Sequence, residues 1–224
     1  MIKTIILDFD GVVIESVDIK TKAFMEMFKD SPQISALFLE YHLKNNGKSR
    51  FDKFEWLYKN ILKRPLSEDE KTELGNKFSG LVFEQLIKCP YVEGAMEFLK
   101  ELHNIYPIYL ASVTPQEELR AIIEKRGLNE YFKDVVGTTE KKARLIEQII
   151  KAEKNSPQDV LFVGDTMEDY VASRETGVRF IARLRQERFE GLNIPGFGNM
   201  QGIKELIKAN IGSEKLEDYL HEKS

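Results

Sequence analysis

The chain has 224 residues, 42% of them hydrophobic, enough to bury one full core and a small second one, which predicts one domain with an insert. Its 33 lysines and arginines stand against 37 acids for a net charge of −4, so there is no basic field to attract nucleic acid. A single cysteine, Cys89, excludes an internal disulfide and a cysteine zinc cluster, and no run approaches the roughly 18 apolar residues of a membrane span; a soluble protein of the reducing cytoplasm is expected.

Residues 4–9 read TIILDF, a short apolar run that suits a central strand buried on both faces of a parallel sheet. Acid interrupts it too soon for a signal peptide. Strand alternation places Asp8 and Asp10 on one face with Phe9 turned away, and Gly11 permits an abrupt turn that leaves both carboxylates at the open edge of the sheet. Two like charges so close call for a cation between them, or for one carboxyl to hold a proton. Beside a hard cation such as Mg²⁺, one aspartate can attack a phosphoryl group while the other gives and takes protons. The plainer explanation is a capped turn.

From residue 15 to 89 the pattern turns helical. Helices are predicted over 17–29, from Pro32 to Leu43 before Asn45-Asn46-Gly47, over 50–63, and from a capping box at Ser67 and Glu70 to about Ile87. The aromatics of this stretch, Phe24, Phe28, Phe38, Phe51, Phe54, Trp56, Phe78 and Phe83, fall at helical spacing and read as core. His42 reads as half-buried, with no second histidine or cysteine at ligand spacing. Arg50, just past the Asn-Asn-Gly turn, is either a solvated arginine or, if that loop closes over the sheet edge, a substrate contact.

After Pro90 helix and strand alternate. A helix is predicted over 94–103, a strand over 107–113 (PIYLASV) ending at Ser112, and a helix over 116–126 with Thr114 as N-cap and Pro115 at its first position. Val135-Val136-Gly137 is a short strand, 141–153 a helix, 160–165 (VLFVGD) a strand that again ends in aspartate, 168–176 a helix, and 178–182 a strand. Residues 184–200 read as loop, 202–209 as helix and 211–224 as a polar tail. Right-handed crossovers make parallel strands point their C-terminal ends one way, so Asp8, Asp10, Ser112 and Asp165 should converge. Ser112 offers a hydroxyl to a phosphate oxygen or simply caps the next helix. Lys141 and Lys142 compete to place an ammonium near the edge. Asp165 and Asp169, spaced G-D-x-x-x-D, add acid that asks for a divalent cation.

Asp8-Phe9-Asp10-Gly11-Val12-Val13, Ser112 after Tyr-Leu-Ala, a lysine at 141 or 142, and Gly164-Asp165 with Asp169 together resemble the haloacid dehalogenase superfamily of phosphohydrolases, in its phosphoglycolate phosphatase and β-phosphoglucomutase-like branch with a helical cap. The resemblance spans about residues 1–210. It implies a doubly wound, Rossmann-like α/β core over 1–14 and 90–210 with an all-helical cap inserted at 15–89. It implies Asp8 as nucleophile, Asp10 as acid and base, and Ser112 and Lys142 on the phosphoryl oxygens. Lys142 is preferred to Lys141 because the family's lysine opens a K-A-x-x-L/I pattern, met by Lys142, Ala143 and Ile146. Mg²⁺ would be held by Asp8, the backbone carbonyl of Asp10 and Asp165, with Asp169 supporting from behind.

The expectation is a Mg²⁺-dependent phosphatase of a small phosphorylated metabolite, of sugar phosphate or phosphoglycolate type, acting through an aspartyl-phosphate as monomer or homodimer. A phosphomutase would use the same residues with a different phosphoryl acceptor. A non-catalytic phosphometabolite-binding module is the rival of another class. A dehalogenase would lack the second aspartate.

Overall fold

The structure, a computed structural model, describes residues 1–138, 141–185, 189, 191–192 and 194–209. The tail expected at 211–224 lies outside the described residues. Six parallel strands among the described residues form one sheet: β1 (Thr4–Leu7), β2 (Ile108–Ser112), β3 (Asp134–Gly137), β4 (Val160–Gly164), β5 (Arg179–Arg183) and β6 (Gly196–Phe197), in the order β3-β2-β1-β4-β5-β6. The short β6 falls where the sequence predicts loop. Its residues lack a strand pattern and extend because β5 offers an unpaired edge, with Ala182 opposite Gly196 and Arg183 opposite Phe197.

β1 is central because neither face of it meets water. Ile5, Ile6 and Leu7 are fully buried, each contributing about 1.5–3 kcal/mol of apolar transfer. Leu7 sits opposite Leu110 of β2 on one side and Val163 of β4 on the other. Alternation then sorts two layers. Ile5 and Leu7 face a cluster that includes α5 (Ala95–Leu102), α6 (Gln116–Lys125) and α9 (Met200–Ala209). Ile6 faces α7 (Lys142–Glu153) and α8 (Met167–Thr176). The fold is the doubly wound α/β arrangement that the run of apolar strands predicts.

Between β1 and α5 lie four helices with no strand among them: α1 (Val17–Met27), α2 (Pro32–Lys44), α3 (Arg50–Asn60) and α4 (Glu68–Lys88). The Ser67–Glu70 capping box starts α4, and Ser49 accepts from the Asp52 amide at the start of α3, caps worth about 1 kcal/mol each. Phe24 is the hub of the insert, its ring 5.3 Å from Phe38, 5.9 Å from Phe54 and 4.4 Å from Phe78. Phe28, Phe51, Trp56 and Phe83 are only partly buried. His42, expected half-buried, is buried, with Nε2 2.8 Å from the Thr21 hydroxyl. The apolar contacts of the insert run without a break through Val12, Val13 and Ile14 into the sheet. A separate small core, which composition suggests, is therefore not what forms: the turn after β1 is itself apolar and bridges the two parts.

Candidate active site

β1 stops at Leu7, two residues short of the predicted strand. The Asp8 amide still donates to the Val163 carbonyl at 2.9 Å, and then the Phe9 carbonyl gathers the amides of Val12, Val13 and Ile14 at 3.4, 3.0 and 3.2 Å. The two aspartates thus do not share a strand face. The turn aims Asp8 at Lys142 and Asp10 at the insert. Gly11 has φ +77°, and a Cβ there would lie 2.3 Å from Asp165 Oδ2, so only glycine lets the turn pass this close to the end of β4.

Four side chains meet beneath that turn. Asp8, Asp165, Asp169 and Lys142 are all buried. Lys142, the first residue of α7, reaches Asp8 Oδ1 at 2.8 Å and Asp169 Oδ1 at 2.5 Å. Lys141 is exposed at the N-cap position. Asp169 completes a capping box at the start of α8: its Oδ2 accepts from the amides of Asp165 and Thr166 at 3.2 and 3.1 Å and from the Thr166 hydroxyl at 2.7 Å. Its lone pairs are largely committed, so Asp169 orders the loop and holds Lys142. Burial lifts the Asp8 carboxyl to about 7, with Lys142 pulling it down and Asp169 and Asp10 pushing it up. Burial also opposes the charge on Lys142, but Asp169 and Asp8 outweigh it and hold the ammonium well above its ordinary value.

Oxygen atoms of Asp8, Asp165 and Asp169 all lie within 4.8 Å of one another. An all-oxygen, anionic set of this kind fits a hard divalent cation such as Mg²⁺ and offers nothing to soft metals.

Asp10 faces a different set. Its Oδ1 accepts from the Ser16 hydroxyl at 2.5 Å and its Oδ2 pairs with Lys20, whose ammonium also lies 3.3 Å from Thr114 Oγ1. Burial would raise the Asp10 carboxyl, but the Lys20 charge and hydrogen bond, with Ser16, bring it below the usual carboxylate range. Ser112 is fully buried at the end of β2, and its Oγ accepts from the Thr114 amide at 3.1 Å. Thr114 makes no helix cap: α6 starts at Gln116, with Pro115 at the N-cap position rather than at the first helical one. Pro115 is extended, with ψ 140°, which takes it and the Thr114 side chain out of the helix.

The insert closes over this edge. Asp8, Asp10, Thr114, Lys142 and Asp165 line a cleft whose other wall is Lys20, Phe24, Arg50 and Lys53, with about 50 Å³ of free space, room for a few waters. The Gly47 turn of the insert rests on the core, since a Cβ there would be 2.5 Å from Thr166 Oγ1 and 2.7 Å from Glu168 Cβ; Glu168 is half-buried under it. Arg50 lines the cleft, but its guanidinium is engaged. Its Nη1 donates to Ser79 at 2.6 Å and Glu118 at 2.9 Å, its Nη2 to Glu118 at 2.7 Å, and it lies 4.5 Å over the Phe78 ring. Burial works against the Glu118 carboxylate, and Arg50 with Ser79 still holds it below the ordinary range. Arg50 thus joins the insert to α6 through a partner 68 residues away. Replacing Arg50 by alanine should strand a buried carboxylate and cost about 3–5 kcal/mol, measured by denaturant unfolding. Arg50→Met with Glu118→Met should recover most of that loss. A single-variant cost below ~1 kcal/mol would mean that the pair does not hold the parts together.

Lys20 and Lys53 escape the sequence reading because each sits on an amphipathic helix among many lysines. The only signal available was position, on the buried rather than the polar side of its helix.

A parallel α/β sheet with an acidic, lysine-bridged site at the C-terminal ends of β1 and β4, closed by helices inserted after β1, defines a hydrolase-type core of the kind the motifs suggest. The chain belongs to the haloacid dehalogenase-like hydrolases, whose family model matches residues 5–183. Membership makes it an enzyme, a hydrolase of that family. Its fold is similar to that of β-phosphoglucomutase from Clostridium difficile (TM-score 0.76, 16% identity, 99% of this chain and 98% of that one covered). It is similar also to a predicted phosphatase from Clostridium acetobutylicum (0.72, 16%, 93% and 99%) and to a predicted phosphoglycolate phosphatase from Haemophilus somnus 129pt (0.69, 17%, 92% and 98%). No curated protein shows significant sequence similarity to the chain.

Proposed function

We propose that the enzyme is a Mg²⁺-dependent phosphatase of a small phosphate monoester, of sugar phosphate or phosphoglycolate type, and that it works through an aspartyl-phosphate on Asp8. The observation that carries this reading is the Asp8 carboxylate, buried at a strand end and held 2.8 Å from the Lys142 ammonium within an all-oxygen acidic cluster. Asp8 and Asp165, with the backbone carbonyl of Asp10, would hold the Mg²⁺, which when bound would offset the charge of the phosphate against the acids around it.

An Asp8 oxygen attacks phosphorus and the bond from phosphorus to the ester oxygen breaks. The leaving alcohol takes its proton from Asp10. Water then attacks the aspartyl-phosphate, giving its proton back to Asp10, and Asp8 is freed with inorganic phosphate. Lys142 stays charged throughout and balances the oxygens of the phosphoryl group, with Ser112 at the neighbouring strand end. Lys20 keeps Asp10 ionised while the cleft is closed. Asp10 is therefore a base as it stands, and serves as acid once substrate separates it from Lys20. The narrow cleft implies that the insert acts as a cap and moves to admit substrate.

A phosphate-release screen over small phosphate esters with Mg²⁺ tests this. Chelation should abolish turnover and added Mg²⁺ restore it; full activity in excess EDTA would remove the metal assignment. Conversion of a sugar 1-phosphate to its isomer, without free phosphate, would make the enzyme a phosphomutase.

A further inference from the structure

Besides Lys142, four cationic side chains line the cleft: Lys20, Lys48, Arg50 and Lys53. Three are accounted for. Lys20 is paired with Asp10, Arg50 with Glu118 and Ser79, and Lys48 is exposed beside Tyr41. Lys53 differs. It is only 3% exposed, its ammonium donates to the Asn46 carbonyl at 3.2 Å, the Phe24 ring lies 5.4 Å away, and among the described residues it forms no ion pair.

The placement follows from helical spacing. Arg50, Lys53, Phe54 and Leu57 are buried on α3, so Lys53 occupies the inward stripe one turn after Arg50. Such a group is costly to bury unpaired. Burial, and then the charge of Lys20, lowers the Lys53 ammonium to about 7. An anion brought between these two lysines would relieve both effects. Glu168, Asp10 and Asp52 favour the charge on Lys53 only from a distance: among the described residues none of them forms an ion pair with it, and Asp10 is already paired with Lys20.

We propose that Lys53 is a specificity-determining residue that binds a second anionic group, carboxylate or phosphate, on the alcohol part of the substrate. The preferred substrates are then small phosphate esters with an anion at each end. This rests on the phosphatase reading of the same site, with Asp8 and Lys142 taking the reacting phosphoryl group and Lys53 the distal anion.

The test compares wild type with Lys53→Met and Lys53→Arg on three esters: an aryl phosphate without a second anion, a phosphate ester bearing a carboxylate, and one bearing a second phosphate. Wild type should prefer at least one of the two-anion esters. Charge-assisted hydrogen bonds of this kind are worth about 1.5–3 kcal/mol, so Lys53→Met should lower that preference roughly 10- to 100-fold, mainly through KM, and Lys53→Arg should restore part of it. Which ester responds tells carboxylate from phosphate. Binding of phosphonoacetate and of methylphosphonate, read by thermal shift, supplies a measure that needs no turnover. A gain from the carboxylate that Lys53→Met removes supports the distal site even if no ester is hydrolysed, in which case the phosphatase reading alone falls. Hydrolysis of the aryl phosphate with no preference for either two-anion ester, or equal losses on all three, would overturn the role of Lys53. A structural role is separable, because removing an unpaired buried charge should leave the melting temperature of Lys53→Met unchanged or higher.

Discussion

Replacing Asp8 by asparagine is expected to abolish turnover and leave no phosphoryl group on the protein, because in the proposed mechanism only Asp8 forms a bond to phosphorus. The substitution keeps the shape and the contact with Lys142 while removing the charge, so the fold should survive. Asp10→Asn should fail differently. Asp10 sits beyond the turn, hydrogen-bonded by Ser16 and paired with Lys20, and acts on Asp8 and Lys142 only through its charge. Its loss removes acid and base assistance, commonly about 10²- to 10⁴-fold. With an activated aryl phosphate, whose leaving group needs little protonation, Asp10→Asn should still form the aspartyl-phosphate and hydrolyse it slowly. Trapping with labelled substrate and peptide mapping decides between them. Label on any residue other than Asp8 would overturn the assigned roles.

Lys142→Ala should cost ~100-fold or more in kcat, and Lys141→Ala little, since only Lys142 enters the site while Lys141 is exposed at the start of α7. Two effects combine. In the proposed mechanism the phosphoryl oxygens would lose their buried cation, and Asp8, already raised to about 7 by burial, would lose the charge that holds it down and rise further. Activity that remains should therefore increase toward alkaline pH. Stability should move the other way. A carboxyl whose value in the fold exceeds its ordinary 3.8 binds a proton that the unfolded chain has already released, so folding weakens as pH rises between the two values. Lys142→Ala should widen that window and, at neutral pH, lose about 3–5 kcal/mol relative to wild type, read from denaturant midpoints along a pH series. A larger loss for Lys141→Ala than for Lys142→Ala would place the functional lysine one residue away.

The motifs were legible because their geometry is mostly local or topological. A buried apolar strand ending in aspartate needs only its own residues to be recognised, and parallel connection then carries Asp8, Ser112 and Asp165 to one edge whatever the loops do. Lys142 could be preferred to Lys141 through the resemblance, since the family's lysine opens a K-A-x-x-L/I pattern. The starts of α1 through α4 followed from apolar spacing, Pro32 and the cap of α4, with Ser67 and Glu70 the clearest case, while α1 and α3 end two and three residues sooner than predicted.

Long-range partners were not legible. That the Asp8–Asp10 pair splits, one side chain to Lys142 and the other to Lys20, depends on where β1 gives out, which is set by hydrogen bonds to β4 and by the close approach of Gly11 to Asp165. The sequence left Arg50 as either a solvated arginine or a substrate contact and gave no sign of its pairing with Glu118 of α6, and β6 had no strand pattern until β5 lay beside it. Short-range physics, namely helix period, strand alternation, capping and the torsional freedom of glycine, is written in neighbouring residues and was determined by the sequence alone. Which buried charge meets which depends on packing between segments tens of residues apart, and at Asp10, Arg50 and Lys53 only the tertiary structure decided it.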